Sequence, residues 1–279
     1  MTKWIIFVVN KMSRSSIVAN HMARLRMSEL DQVRGYFTPR MRVLEIGGGN
    51  GFQSSKISAW GCDVSSIDLK GRSNRSLHFD VQDYDGKNFP FEDEMFDVVF
   101  SSNVLEHVVD IERLLGESER VIKPDGLMIH IMPSPSWRFW TIVSHYPYLI
   151  GSVLKRLLSR NPKEKTGIYP DTIPIIPPPH GEFQSAFHEL HYYSRWYWKK
   201  VFETHGLEIV DCHSNGIYCS GYALFPNMGI PMRKVLANIL GSSGNIFILH
   251  RLEEPNEHKT CRQHVAPSPR SLVDDMVSK

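Results

Sequence analysis

The sequence has few of the features that mark secreted, zinc-binding or membrane-spanning proteins. Its 279 residues include four cysteines, and these form no CxxC pair and show no zinc-like spacing to histidine. Such scattered cysteines predict reduced thiols in a cytoplasmic protein. The N-terminal apolar run, residues 4–9, is too short to cross a bilayer and lacks a small-residue cleavage site. No other charge-free stretch reaches spanning length.

Strong net charge and internal repeats are also missing. The 32 Lys and Arg residues nearly balance the 30 Asp and Glu residues, which leaves a net charge of +2. This balance gives no general electrostatic case for binding nucleic acid. The chain is 42% hydrophobic, an ordinary composition for one large domain or a domain with an appendage.

Between residues 41 and 133, apolar runs alternate with helical lengths. The pattern predicts helices over 52–60 and 106–122, a turn at "KPDG", and strands at 42–47, 62–69, 96–103 and 127–133, with a further, shorter strand within 76–85. Strands separated by helices indicate a parallel sheet covered on both faces. Ligands of such sheets bind at the carboxyl ends of the strands. Glu45, Asp68, Asn103 and Pro133 all fall at such ends.

The stretch "VLEIGGGNGF", residues 43–52, ends a predicted strand in Gly47, Gly49 and Gly51. The dinucleotide fingerprint G-x-G-x-x-G would need glycine at Phe52, so the match to it is incomplete. Glycines still let the backbone approach a ligand closely. Glu45 would repel a pyrophosphate and suits a cationic ligand. A tight strand–helix connection without a ligand remains the alternative.

Four segments occur in order and at matching spacing: "VLEIGGGNGF", "IDL", "NFPFEDEMFDVVFSSNVLEHVVD" and "ERVIKPDGLMIHIMPSP". Together they resemble class I S-adenosylmethionine-dependent methyltransferases of the type 11-like group, over roughly residues 40–135 and more weakly over 193–250. Asp125 stands where that family most often has glycine. The resemblance implies a Rossmann-like, doubly wound α/β fold. Its mostly parallel seven-stranded sheet would have an antiparallel last strand and a helical insertion after strand five.

The resemblance also implies that the chain binds S-adenosylmethionine and releases S-adenosylhomocysteine. The glycine turn would pack against the methionine part of the cofactor, with Glu45 near its ammonium. Asp68 would bind the ribose hydroxyls. Two further groups complete the implied site: Asp83, Tyr84 and Asp85 beside the adenine, and the backbone of Ser102 and Asn103 near the sulfonium.

Methyl transfer to a hydroxyl needs a group that accepts the proton. The candidates are His107, His180 and His188, and for each of them a structural role is the alternative. "HELH", residues 188–191, lacks the H-E-x-x-H frame and a clear third ligand. We therefore predict no metal site.

Residues 134–192 interrupt the regular pattern and are interpreted as a lid or substrate insertion. Its stretch 137–160 is aromatic and apolar with a basic end. Three interpretations stay open: a helical pair packed on the sheet, a lid over the acceptor, or an interfacial helix that makes peripheral contact with an anionic membrane. The insertion belongs to a methyltransferase domain over 41–252, with an N-terminal helical segment, 1–40, and a disordered tail, 253–279.

The segment "PPHGEFQSAFHELHYYSRWYWKKVFETHG" loosely resembles methyltransferases of bacterial surface polysaccharide and other glycan assembly. The hypothesis is therefore O-methylation of a small-molecule or saccharide acceptor, without nucleic acid. One alternative is a C- or N-methyltransferase of quinone, lipid or secondary-metabolite synthesis. The other is a non-catalytic cofactor-binding module that serves as an interaction partner. The sequence does not predict the oligomeric state.

Overall fold

The computed structural model describes residues 20–71, 78–158, 174–221, 225 and 227–252. The strands are β1 Arg42–Ile46, β2 Asp63–Leu69, β3 Gln82–Tyr84, β4 Phe96–Ser102, β5 Ile122–Pro133, β6 Leu207–Ser214 and β7 Gly244–Arg251. The helices are α1 over 20–33, α2 Phe52–Ala59, α3 Ile111–Val121, α4 Pro135–Leu158, α5 His188–Tyr192, α6 Arg195–Thr204 and α7 Ile230–Leu240. Short 3-10 turns lie at Arg34–Tyr36 and Leu105–His107.

The seven strands form one sheet in the order β3-β2-β1-β4-β5-β7-β6. The neighbours from β3 to β5 pair in parallel, whereas β7 is antiparallel to both β5 and β6. The predicted doubly wound sheet with an antiparallel last strand is confirmed. The chain reverses its winding direction between β1 and β4, and ligands of open α/β sheets bind at such a point.

Alternate residues of the central strands point to opposite faces of the sheet, and each face has its own core. The face covered by α1 and α2 contains Leu30, Val33, Val43, Ile57, Val98 and Ile129. The face covered by α3 and α6 contains Leu44, Val99, Leu114, Leu115, Met128, Trp198 and Phe202. Because both faces are buried, the central strands are continuously apolar rather than alternating.

Two predicted boundaries were wrong. The helix expected over 106–122 is divided: a 3-10 turn is followed by α3, which begins after Asp110 because that carboxylate accepts the Arg113 N–H at 3.1 Å. The expected "KPDG" turn lies inside β5 instead. Phe96 pairs with Ile122 and Val98 with Leu127, so the four residues between form an irregularity in the strand.

The insertion after β5 is built mainly by α4, one helix of 24 residues that contains Pro147. The structure thus shows a single long helix in place of the helical pair considered from sequence. No helix in the described ranges is long and apolar enough to cross a membrane. The predicted N-terminal segment falls partly, and the predicted tail wholly, outside the described residues.

Asp97 connects the starts of three adjacent strands. Its carboxylate accepts the backbone N–H of Arg42 at 2.7 Å and contacts Nζ of Lys123 at 2.6 Å. We expect Asp97→Ala to lower the free energy of unfolding by about 2 kcal/mol, because it removes two bonds to an ionised group. Chemical denaturation measures this change.

The control is Asp93→Ala, which removes a more exposed ion pair with Arg120. That pair should contribute less than about 1 kcal/mol. Equal losses in the two variants would contradict the connecting role of Asp97.

Candidate active site

The glycine turn after β1 has the backbone that its sequence predicts. Gly47, Gly49 and Gly51 have positive φ angles of 75°, 56° and 74°. A Cβ at Gly51 would lie 2.6 Å from the backbone nitrogen of Phe79, whereas a Cβ at Gly49 would meet no atom within 4 Å. Gly51 is therefore required for packing, and Gly49 borders open space at the carboxyl edge of the sheet.

Glu45 differs from the expectation in the direction of its side chain. The carboxylate is 2% exposed and accepts bonds from the Ser54 N–H at 3.1 Å, the Ser54 hydroxyl and the Ser66 hydroxyl. Burial raises the pKa of Glu45 to about 7, although the serine bonds oppose this shift. Here Glu45 ties the glycine turn to α2 and β2. A direct ammonium contact needs the carboxylate to turn away from Ser54, and it stays a prediction.

Asp68 ends β2 beside the glycine turn. Its Oδ2 accepts the Gly49 N–H at 2.9 Å, and its Oδ1 accepts the Leu69 N–H at 2.7 Å. The carboxylate therefore lies at the open side of the turn. This is where the resemblance predicts an acid for the ribose hydroxyls.

Of the three residues predicted to flank the adenine, Asp83 and Tyr84 belong to β3 and Asp85 follows it. Tyr84 is partly buried, with its ring 5.7 Å from that of Phe89, and Asp83 is exposed. Asp85 uses Oδ1 to accept the N–H groups of Lys87 and Asn88 at 2.7 and 2.8 Å. Because Asp85 already closes a turn, Asp83 and Tyr84 are the better placed of the three.

Ser102 and Asn103, at the end of β4, are held from two sides. Arg26 of α1 donates to the Ser102 hydroxyl at 3.1 Å. Asn103 has a positive φ of 56°, and its N–H donates to the Ile131 carbonyl at 2.7 Å. The N–H of Asn103 is thus already used by the sheet, which limits the predicted backbone contacts to the remaining groups of this turn.

These groups fit S-adenosylmethionine. The turn leaves space at Gly49, a partly exposed carboxylate stands at Asp68, and an aromatic side chain lies further along the same edge. An amino-acid-bearing nucleoside needs this combination: close backbone approach, an acid for its ribose, and an apolar wall for its base.

Two of the three predicted histidines come together beside this edge. The rings of His107 and His180 are 4.7 Å apart between centroids, and Trp137 of α4 lies 4.8 Å from His180. The loop that carries His180 rests on the 3-10 turn that carries His107, since the Glu182 N–H donates to the Glu106 carbonyl at 3.0 Å. A Cβ at Gly181 would collide with that carbonyl, which explains the glycine of the "HG" pair.

The ionisation states in this cluster are shifted from their ordinary values. His180 is an exposed residue, but its ring packs against Trp137 and His107. Its pKa is lowered from the ordinary value, first by the loss of hydrating water on these sides and then by the positive charges of His107, Arg138 and Arg26. Glu106 is 1% exposed, and neither of its carboxylate oxygens accepts a hydrogen bond. Burial raises the pKa of Glu106 to about 8. Near neutral pH His180 is therefore neutral and Glu106 is mostly protonated.

Glu106, His107 and His180 could also hold a metal ion. One ligand atom of each lies within 4.8 Å of the others. This grouping was not predicted, because the sequence shows only an adjacent Glu-His pair and a distant histidine. It makes metal dependence a question for experiment.

A second buried acid, Glu189 of α5, holds the cluster together. Its Oε1 accepts the N–H groups of His180 and Gly181, each at 2.6 Å, and the Tyr193 hydroxyl at 3.1 Å. Its Oε2 lies 2.6 Å from Nε of Arg138 in α4. Sequence reasoning missed Arg138 and Glu189, since nothing in their spacing indicates that they meet.

His188 lies apart from the histidine pair. Its ring is exposed and bonds to the Ser185 hydroxyl at 2.8 Å. The structure therefore gives no geometric support to His188 as a third catalytic residue, although it neighbours Glu189 in sequence.

Comparison with known proteins identifies a matching family and several relatives of the chain. The family described as "Methyltransferase domain" matches residues 18–211, more than half of the sequence. The ubiquinone biosynthesis O-methyltransferase of Pasteurella multocida is 28% identical over 154 residues, which are 48% of this chain and 61% of that protein. The sarcosine/dimethylglycine N-methyltransferase of Halorhodospira halochloris is 31% identical over 120 residues, 39% of this chain and 42% of that protein. The match thus spans less than two thirds of either relative.

A solved structure shows the same fold. The S-adenosylmethionine-dependent methyltransferase from Mesorhizobium loti superposes with a TM-score of 0.50 and 14% sequence identity, covering 80% of this chain and 98% of that chain. At this identity the likeness concerns the fold alone.

The burial of the Glu106 carboxyl predicts how the stability of the protein depends on pH. In the unfolded chain it loses its proton near its ordinary pKa of 4.5, whereas in the folded chain it keeps the proton up to a pKa of about 8. The wild type should therefore lose stability as the pH rises through this window. Glu106→Gln cannot ionise. The free energy of unfolding of this variant minus that of the wild type should therefore increase by roughly 2–4 kcal/mol between the low-pH and the high-pH end of the window.

Chemical denaturation at the two ends of that pH window measures the difference. Glu92→Gln, at an exposed acid, is the control and should show a constant offset. A constant offset for Glu106→Gln as well would show that Glu106 is not buried in its protonated form.

Proposed function

This chain belongs to the methyltransferase domain family of S-adenosylmethionine-dependent enzymes, and from that premise we propose that it methylates an oxygen atom of a small molecule or saccharide. The observation that carries the choice of oxygen is the contact between two histidine rings, 4.7 Å apart between centroids: His107, in the 3-10 turn that follows β4, and His180 of the insertion. A hydroxyl acceptor needs a proton acceptor at this position, and a neutral imidazole supplies one.

When bound, S-adenosylmethionine supplies a methyl group on a sulfonium, which is a good leaving group. The chain's contribution is to place this group and to keep water away. Gly47, Gly49 and Gly51 allow the close approach, and Asp68 binds the ribose. Trp137 and the buried side of α4 shield the acceptor side.

The acceptor hydroxyl would donate its hydrogen bond to a ring nitrogen of His180 and pass its proton there as the new bond forms. His107 lies against His180, and its Nε2 is 3.8 Å from the Glu106 carboxyl. Glu189 fixes the backbone at His180 through two short hydrogen bonds. The ring is thereby held in place before the acceptor arrives, which lowers the entropic cost of alignment.

The acceptor that we propose, a hydroxyl of a small molecule or saccharide, has two alternatives. The aromatic wall at Trp137 with a few convergent polar groups suits a ring-shaped acceptor such as a sugar or a phenol. The named relatives include both an O- and an N-methyltransferase, so transfer to nitrogen, or to carbon, is the first rival. A cofactor-binding module without catalysis is the second. We further propose a cytoplasmic location, where thiols such as those of Cys62, Cys212 and Cys219 stay reduced.

The cofactor assignment predicts a binding defect. Asp68→Ala should weaken S-adenosylmethionine at least about tenfold in titration calorimetry, because a charged acceptor for the ribose is lost. Asp68→Asn, which keeps an oxygen for the Gly49 N–H, separates loss of the ribose contact from collapse of the turn. Asp63→Ala at the opposite end of β2 is the control. No binding by the wild type, or equal affinities in all variants, would refute the assignment.

The histidine assignment predicts a catalytic defect. Wild type is offered nucleotide sugars, lipid-linked glycans, phenols and amines, and S-adenosylhomocysteine and the methylated product are identified by mass spectrometry. With the best hydroxyl acceptor, His180→Ala should lower kcat about 10²-fold or more while leaving S-adenosylmethionine affinity unchanged. His188→Ala is the matched control and should retain activity.

Three results would change the account. Product formed only on amines or carbon would favour the first rival, and no product with any acceptor would favour the binding module. Loss of activity in EDTA, restored by Mn²⁺, would assign Glu106, His107 and His180 to a metal instead of to proton transfer.

A further inference from the structure

Helix α4 presents apolar side chains to solvent along one side. Phe139, Val143, Tyr146, Ile150 and Val153 are each more than 40% exposed. They recur every three or four residues, so they form one stripe along about 20 Å of helix. Scattered exposed apolar residues are ordinary, whereas a contiguous exposed stripe of this kind marks an interaction surface.

The opposite side of α4 is polar and buried. Arg138, Thr141, Ser144 and His145 are all buried. Each is satisfied internally: Arg138 by Glu189, Thr141 and Ser144 by carbonyls one turn back, and His145 by the Pro174 carbonyl at 2.9 Å. The buried side of α4 therefore mixes these polar residues with Ile142, whereas the buried side of an ordinary surface helix is mainly apolar.

Helix α7 shows a similar arrangement. Met232, Val235 and Ile239 are exposed at helical spacing, whereas Arg233 is 1% exposed. The guanidinium of Arg233 is occupied by the carbonyls of Tyr218 and Phe225. Here too a cation is buried, together with Ala237, while three apolar residues are exposed.

The two helices meet. Nε1 of Trp140 in α4 donates to the carbonyl of Leu240, the last residue of α7, at 2.8 Å. Phe139 and Ile239 are the chain neighbours of these two contacting residues. The exposed stripes of α4 and α7 thus begin beside this contact, and we name the two stripes together the apolar face.

The two helices that define this face contain no Asp or Glu. They hold five Lys and Arg residues, of which Arg138 and Arg233 are buried. Lys234 of α7 is exposed, and Lys155 and Arg156 belong to the last turns of α4. The small net charge of the whole chain hides this separation of charge.

We propose that the apolar face docks on the surface of an anionic phospholipid bilayer, with α4 and α7 lying in the plane of the interface. Apolar residues on the outer side with cations beside them are the features that hold an amphipathic helix at such a surface. A second copy of the chain would bring the same cations face to face across a two-fold axis, which disfavours it. The charge pattern therefore favours lipid.

Docking would have a consequence for the acceptor. The inner side of α4 supplies Trp137 and Arg138 to the histidine cluster, while its outer side would lie on the membrane. An acceptor carried on a lipid could thus enter from the bilayer surface. This consequence rests on the proposed function, whereas the docking itself does not.

Vesicle flotation of the full chain tests the docking. Wild type should float with vesicles of phosphatidylcholine and phosphatidylglycerol, and remain unbound with phosphatidylcholine alone or in high salt. Ile150→Glu and Ile239→Glu should each lower the bound fraction roughly tenfold. Val210→Glu is the control, since Val210 is 55% exposed but lies on β6 outside the apolar face.

Titration calorimetry with S-adenosylmethionine shows that each variant is folded and leaves the cofactor site intact. Wild type that stays unbound with anionic vesicles, or Ile150→Glu and Ile239→Glu that float like wild type, would overturn the proposal. The proposal would also be overturned if no vesicle binding were found and if, in analytical ultracentrifugation without lipid, the wild type were a dimer and both variants were monomers. That outcome would assign the face to a second copy.

Discussion

The buried ion pair between Arg138 and Glu189 is the interaction on which the geometry of the histidine cluster depends. Its two atoms lie 2.6 Å apart, with the side chains 3% and 0% exposed. The same carboxylate accepts bonds from the backbone of His180 and Gly181 and from Tyr193. One acid thus joins α4, α5 and the histidine loop. Removing either charge would leave the other buried and uncompensated, at a cost of several kcal/mol.

This pair also explains why α4 can be polar on its inner side. An arginine inside a domain is tolerated only when its charge is matched and its donors are used. Arg138 meets both conditions through Glu189 and the Ala186 carbonyl. With these polar residues turned inward, the helix exposes a stripe of apolar residues outside, so α4 contributes both to the histidine cluster and to the apolar face.

The sheet could be predicted in detail because its strands are continuous apolar runs. β1, β2 and β4 were located within a residue of their ends, and the carboxyl edge with Glu45, Asp68 and Asn103 followed from strand order. The direction of the Glu45 side chain could not be predicted, since it depends on Ser54 and Ser66 from neighbouring elements. His107 and His180 were candidates, but their contact joins residues far apart in an irregular insertion. Periodicity contains no information about such a contact.

The central claim is that the methyl donor lies on the carboxyl edge with its sulfur facing the histidine pair. A crystal structure with bound S-adenosylhomocysteine tests it most directly. The account predicts ribose hydroxyls on the Asp68 carboxylate, the methionine part over Gly49, and the sulfur directed past Asn103 towards His107 and His180. A ligand bound elsewhere, or a sulfur that faces away from the two rings, would contradict it.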